Sequence, residues 1–504
     1  MSGVKSLAKD TVVYGLSSIL GRFLNWCLVP LYTQTFLAEE YGVVTYIYSY
    51  VALVLVVLIY GMETGFFRFA NHERYPDPMV VYSTSLVSLA TTSSLFIIGV
   101  LWFVTPLSYL LHSSHHTSYI ALMGAAVALD AFTAMPFSYL RYRHRAMRFA
   151  TLKCLNIGLN IGLNLFFILL CPWLWKVAPA TIDWFYDPTF GIGYIFLANF
   201  ISSLFNLVVL YPELRGFKWR FDFKLWKEMI VYSLPLLVLG VAGIMNQTID
   251  KILLPGLVAD PEQGMTEVGI YGANYKIAIV MVMFIQAFRF AYEPFIFAQN
   301  KERGESRLQG YRDAMKWFVI FAMVIFLVVM FYLDFLRYFI ASDYFSGLKV
   351  VPVIMIAEFF FGVFFNLSLW YKLTDRTHWG MWFSLLGLGV TVALNVLLVP
   401  HIGYMGCAWA ALACYGVMMV TSYAVGRVKY PIGYGVGRLT LYFLTALMLY
   451  GVSVGLHRVV DNLWIEIPVR TLMLCAYLYM VMRVERLSFR SITRLIPKRH
   501  RIVQ

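Results

Sequence analysis

TVVYGLSSILGRFLNWCLVPLYTQTF, residues 11–36, is the stretch whose reading decides the fold. It is apolar and long enough to cross a bilayer, which takes about 20 residues. Arg22 lies about eleven residues in, roughly 17 Å along a helix. That is near mid-depth, where a lone cation costs on the order of 3 kcal/mol or more. Asn25 follows three residues later and shares its helical face. A face turned toward a water-filled cavity accounts for both.

The stretch has an echo. Val13-Tyr14-Gly15-Leu16 recurs as Val231-Tyr232-Ser233-Leu234, and Tyr41-Gly42-Val43 finds its counterpart in Val268-Gly269-Ile270-Tyr271. Gly158-Leu159-Asn160-Ile161-Gly162-Leu163-Asn164 resembles Gly389-Val390-Thr391-Val392-Ala393-Leu394-Asn395. Related halves with a site between them are a common transporter design.

Composition sets the class. The chain has 504 residues, of which 60% are hydrophobic and 13% charged, with mean hydropathy +0.71. Soluble domains carry about 25% charged residues, so an all-α polytopic membrane protein is expected. Lys5 and Lys9 precede a span too long for a signal-peptide core, and no cleavable signal is expected. The six cysteines (27, 154, 171, 407, 414 and 475) form no CxxC pair and read as small core residues. His112, His115 and His116 have poor metal spacing. No metal and no cofactor is expected.

Hydropathy places about fourteen transmembrane helices, at 11–36, 42–67, 79–104, 118–140, 149–170, 190–211, 229–254, 268–297, 315–338, 348–371, 380–400, 404–425, 436–456 and 467–484. Two pseudo-symmetric six-helix lobes are expected, 1–215 and 216–428. Spans 13 and 14 with a basic tail form 429–504. Alternate loops are rich in Lys and Arg, such as Arg141, Arg143, Arg145 and Arg148, or nearly free of them, such as 105–117 and 257–267. The positive-inside rule makes the basic loops and both termini cytoplasmic. The net charge of +13 is then a topology signal, with some attraction to anionic lipid, and no nucleic-acid partner is expected.

Ionisable groups inside spans are candidate functional groups. They are Arg22 with Asn25, Glu63, Asp130, Lys276, Arg289 and Glu358. Asp130 and Glu358 fall in corresponding spans, which suggests that they face each other across the cavity. Each also has a plainer reading. Glu63 with Arg68, and Arg289 with Glu293, fit inner-end ion pairs. Asp130 and Glu358 fit protonated acids bonded to a neighbouring helix. Asn156, Asn160 and Asn164 run at helical spacing and favour interhelical hydrogen bonds. Asp250 and Lys251 favour snorkelling or local pairing near the outer interface. No P-loop, GxSxG, HExxH or cytoplasmic DxD pair is present, and no enzyme is expected.

Residues 5–36, EEYGVVTYIYSY (39–50), YGMETGFFRF (60–69), NQTIDKILL (246–254) and VGIYGANYKIA (268–278) resemble the polysaccharide transporter branch of the MOP exporter superfamily, the Wzx-type flippases. The resemblance implies flipping of undecaprenyl-pyrophosphate-linked oligosaccharide for O-antigen, capsule or exopolysaccharide synthesis, by alternating access at the bacterial inner membrane. It implies a cationic cavity, with Arg22, Asn25, Lys276 and Arg289 for the substrate. Asp130, Glu358 and Glu63 are then candidates for coupling to H+ or Na+. A polysaccharide polymerase or assembly proteins are possible partners, and a monomer is expected. The alternatives are a lipid II flippase, a MATE-like drug or cation antiporter and a membrane polysaccharide polymerase. Arg22 stands where drug antiporters of the superfamily often place an acid.

Overall fold

The computed structural model describes residues 15, 17, 19–111, 117–215, 220–299, 305–374, 376, 378–459 and 462–486. The three histidines at 112–116 and the tail beyond 486 lie outside the described residues. Among the described residues the regular structure is helical, with no strand. The longer helices are α1 (Val29–Thr35), α2 (Ala38–Ile59), α3 (Met62–Ala70), α4 (Pro78–Trp102), α5 (Thr117–Tyr142), α6 (Ala146–Leu165), α7 (Gly193–Val209) and α8 (Phe223–Leu257). They continue with α9 (Pro261–Gln299), α10 (Glu305–Phe331), α11 (Val351–Leu367), α12 (His378–Ile402), α13 (Tyr404–Lys429), α14 (Val436–Val459) and α15 (Leu463–Val484).

Twelve helices among the described residues are long and apolar enough to cross a membrane. The other two places in the expected order hold the shorter apolar α7 and the stretch around Arg22. The latter is helical over 19–26, turns at Cys27 and Leu28, and resumes as α1. Pro30 near the start of α1 suits that restart, because its missing N–H is one the first turn leaves unpaired anyway.

Local chemistry sets the ends. The Glu40 carboxylate accepts from the Leu37 N–H at 3.0 Å and closes the first turn of α2. Asp77 caps α4 through the Met79 N–H at 3.0 Å, and Asp222 caps α8 through the Leu225 N–H at 3.0 Å. The second span breaks between α2 and α3, where Tyr60 (φ 36°) and Gly61 (φ 72°) are both left-handed. Glycine adopts that geometry without penalty. The Gly61 carbonyl there accepts from Ser233 Oγ at 3.4 Å.

The chain divides into two compact units. One comprises residues 1–294 and 339–426, the other 295–338 and 427–504. In the first, Met62, Phe66, Tyr82, Leu89 and Met135 from α3, α4 and α5 form a core with Leu225 and Met229 of α8. A second core joins Val44 and Ile47 of α2 to Tyr119, Met123, Ile195 and Phe196 of α5 and α7. In the smaller unit, α10 packs with α14 and α15. Phe318, Phe326, Tyr442 and Tyr477 are fully buried there, and the Tyr477 hydroxyl donates to the Tyr442 carbonyl at 3.3 Å.

Candidate functional site

Two helices that carry one of the sequence echoes, α2 and α9, meet at glycine. A Cβ added to Gly42 would lie 1.9 Å from the Met265 carbonyl oxygen. One added to Gly269 would lie 1.8 Å from that of Ala38. Only glycine lets the two backbones approach so closely. This is the Tyr41-Gly42 and Val268-Gly269 echo seen in the sequence. The same 227-residue offset carries Tyr48 of α2 onto Tyr275 of α9.

Beside this crossing lies a cavity of about 490 Å³. The first half of the chain lines it with Asn25, Tyr32, Tyr48, Asn156, Asn160 and Asn199. The second half contributes Gln247, Lys251, Tyr275 and Lys276. Polar side chains from many spans thus converge in helices that are otherwise apolar.

The first span runs along α9. A Cβ on Gly15 would touch the Phe290 ring at 2.9 Å. Further along, Trp26 Nε1 donates to the Lys276 carbonyl at 2.7 Å, and the Trp26 ring stacks on Phe339 with centroids 4.0 Å apart. Asn25 and Lys276 therefore share the cavity wall. Arg22 lies one turn before Asn25, is exposed, and is close enough to Arg289 for their charges to repel. The Arg289 guanidinium also sits 4.9 Å from the centroid of the Phe365 ring. Neither Arg22 nor Lys276 has a carboxylate partner among the described residues, and Lys276 faces a further cation, Lys251.

The acids stand behind the wall rather than on it. The Tyr275 hydroxyl, on the cavity, donates to buried Glu358. Asp130 lies near Tyr48, Ser203 and Lys153 and does not line the cavity. The expectation that Asp130 and Glu358 face each other across the cavity is therefore replaced by two acids, each beside an equivalent tyrosine. Glu63 pairs with Arg141 of α5 at 3.0 Å, not with Arg68. Arg68 instead lies over the Tyr232 ring at 4.1 Å. The Glu293 side chain lies outside the described residues.

Asn156 makes the interhelical bond its spacing suggests, donating to the Ser202 carbonyl at 2.7 Å, and it also lines the cavity. Asn164 is buried and accepts from the Tyr32 hydroxyl at 2.9 Å.

Lys251, for which the sequence favours snorkelling or local pairing, also lines the cavity. Local pairing with Asp250 is present, at 3.0 Å, and Tyr271 donates to the same carboxylate at 2.7 Å. Yet Lys251 is on the cavity wall, and its ammonium sits 4.5 Å from the centroid of the Tyr275 ring. The usable signal was the helical spacing: Gln247 and Lys251 are four apart and present one face.

A polytopic helical protein with a polar, cation-bearing cavity has the architecture of a membrane transporter. Solved structures agree on the fold. A lipid II flippase, MurJ, in an inward closed conformation matches with TM-score 0.69 at 13% identity, over 94% of this chain and 98% of that one. An inward-facing multidrug resistance MATE family transporter of the MOP superfamily matches with TM-score 0.63 at 13% identity, over 81% of this chain and 94% of that one. A MATE in the straight conformation gives TM-score 0.58 at 12% identity, over 84% and 96%. Curated protein sequences return no match. The family described as polysaccharide biosynthesis protein matches residues 7–297, more than half of the chain, and the chain belongs to that family.

Proposed function

We propose that this protein is a flippase that moves an undecaprenyl-pyrophosphate-linked oligosaccharide from the cytoplasmic to the periplasmic leaflet of the bacterial inner membrane. The observation that carries the reading is the Lys276 ammonium, without a carboxylate partner among the described residues, on a polar cavity between apolar helices. A cation so placed is costly unless an anion answers it. With Lys251, Asn25 and the Arg22–Arg289 pair close by, the cavity favours a doubly charged phosphate group over a cationic drug. Arginine offers phosphate oxygens a planar fork of donors, and the low-dielectric surroundings strengthen the attraction.

Size fits a headgroup. Pockets for small ligands span about 300–1,000 Å³, and about 490 Å³ takes a pyrophosphate with its first sugars. The remaining glycan extends into water and the polyprenyl tail stays in lipid. Asn156, Asn160, Asn199 and Gln247 offer amides to sugar hydroxyls, and Tyr48 and Tyr275 offer ring faces.

In this reading the two six-span lobes, 1–215 and 216–428, rock about the cavity. The α2–α9 glycine crossing is one of the contacts that must part. Asp130 and Glu358 take up an ion, H+ or Na+, and report it to the cavity through Tyr48 and Tyr275. Glu63, paired with Arg141, serves as an inner-end clasp.

The deciding experiment is Arg22→Ala in the native host. Surface polysaccharide is lost while membrane protein level stays normal. Full polysaccharide at normal level rejects the assignment of Arg22. Resistance to toxic cations on expression would instead favour a drug antiporter.

A further inference from the structure

Lys251 belongs to two places at once. Its ammonium donates to both oxygens of Asp250, at 3.0 and 3.1 Å, and to the Gln247 carbonyl at 3.0 Å. The same residue lines the cavity, whereas Asp250 is buried and is not on the wall. A lysine recruited only to neutralise Asp250 needs no place on that wall.

The Asp250 carboxylate does not depend on the ammonium alone. Oδ1 accepts from the Lys251 N–H at 2.8 Å, and Oδ2 accepts from the Tyr271 hydroxyl at 2.7 Å. Leaving a buried acceptor unbonded is the costly outcome, and these two neutral donors prevent it. The pair can therefore open at the ammonium while the carboxylate stays hydrogen-bonded.

The other surroundings of the ammonium suit such a move. It sits 4.5 Å from the centroid of the Tyr275 ring, on the wall, and 5.1 Å from that of Tyr271, which holds Asp250. Ring faces attract an ammonium without demanding one direction of approach. Tyr275 in turn donates to Glu358, and Glu358 lies close enough to feel the Lys251 charge.

We propose that Lys251 exchanges partners: Asp250 holds it when the cavity is empty, and the pyrophosphate of the bound lipid carrier takes it over. This deepens the flippase reading and rests on it. Asp250 is then a positioning residue, an internal rival of the substrate that keeps Lys251 in place and lets the headgroup go. With the ammonium withdrawn, the field at Glu358 changes. Occupancy of the cavity is thereby felt at one of the acids assigned to ion coupling.

The test is native mass spectrometry of the full chain with undecaprenyl pyrophosphate and, as the uncharged control, undecaprenol. Wild type retains the pyrophosphate and not the alcohol. Lys251→Met weakens that retention about ten- to hundredfold, the worth of a hydrogen bond to a charged group. Asp250→Asn removes the rival, tightens retention about tenfold, the lower end of that range, and slows polysaccharide export in the native host. The double variant binds as weakly as Lys251→Met. A pair that merely holds helices together gives another pattern: both single variants lose stability and binding, and the double variant recovers them. That pattern overturns the proposal, as does wild-type retention by Lys251→Met. Tyr271→Phe keeps the test alive if Asp250→Asn misfolds. With one neutral donor gone, Asp250 grips Lys251 harder and retention falls; unchanged retention overturns the exchange. Equal retention of pyrophosphate and alcohol by wild type is a separate result, which removes the flippase reading itself and the exchange with it.

Discussion

Arg470 and Lys276 sit in equally apolar helices and end in opposite situations. In the smaller unit Arg470 is sealed. It reaches Asp334 at 2.6 Å, Glu466 one turn away and the Phe331 carbonyl at 3.2 Å, while His457 closes on Glu466 at 3.0 Å. The Arg470 and Glu466 side chains are 6% and 1% exposed. In the larger unit Lys276 faces a cavity and another cation, with no carboxylate partner among the described residues. A charge within the membrane therefore does not announce a site. A sealed charge holds helices together, whereas one left without its counter-ion calls for a ligand.

The largest effect that would test this contrast is at Arg470. Arg470→Leu leaves buried Glu466 and half-buried Asp334 without their cation and costs about 3–5 kcal/mol. It should be read as a sharply lower melting temperature and reduced protein in membranes. Near-normal stability would remove one side of the comparison.

Gly42→Ala comes next. Its methyl meets the Met265 carbonyl, and overpacking of this kind costs about 1–3 kcal/mol. A lowered melting temperature of the purified variant should report the loss of this contact. In a flippase the same change should lower export further than its stability loss explains.

Lys276→Met supplies the other side. No ion pair among the described residues is lost, so the melting temperature should hold or rise, while polysaccharide export falls about tenfold, near 1.4 kcal/mol. A fall in protein level equal to that of Arg470→Leu would show that Lys276 is structural after all.

The smallest effect is at Tyr275. Tyr275→Phe removes one donor to Glu358 and costs roughly 1 kcal/mol in stability. If the tyrosine reports the state of the acid to the cavity, the dependence of export on an imposed ion gradient changes while the protein level does not. Unchanged gradient dependence would separate Glu358 from coupling.

Much of this was legible in the residues and some was not. The spans stood out because each is a long apolar run. The break in the second span falls at Gly61, within the quoted YGMETGFFRF stretch, and the glycine echo at 42 and 269 marks a true backbone contact. The cavity role of Lys251 was hidden by Asp250 beside it, since an adjacent acid makes a lysine look self-sufficient. Glu63 was assigned the wrong partner because the right one, Arg141, is 78 residues away. Arg470 escaped notice altogether, being only a few residues inside the last span.

The sequence by itself determined that the chain is a many-helix membrane protein, because the hydrocarbon core requires each crossing segment to satisfy its own backbone and be apolar throughout. That requirement is local and adds up residue by residue. Only the tertiary structure decided which charges are matched and which are left to a ligand. Pairing depends on what lies within a few ångströms, and here that neighbour is as distant in the chain as Asp334 from Arg470, 136 residues apart.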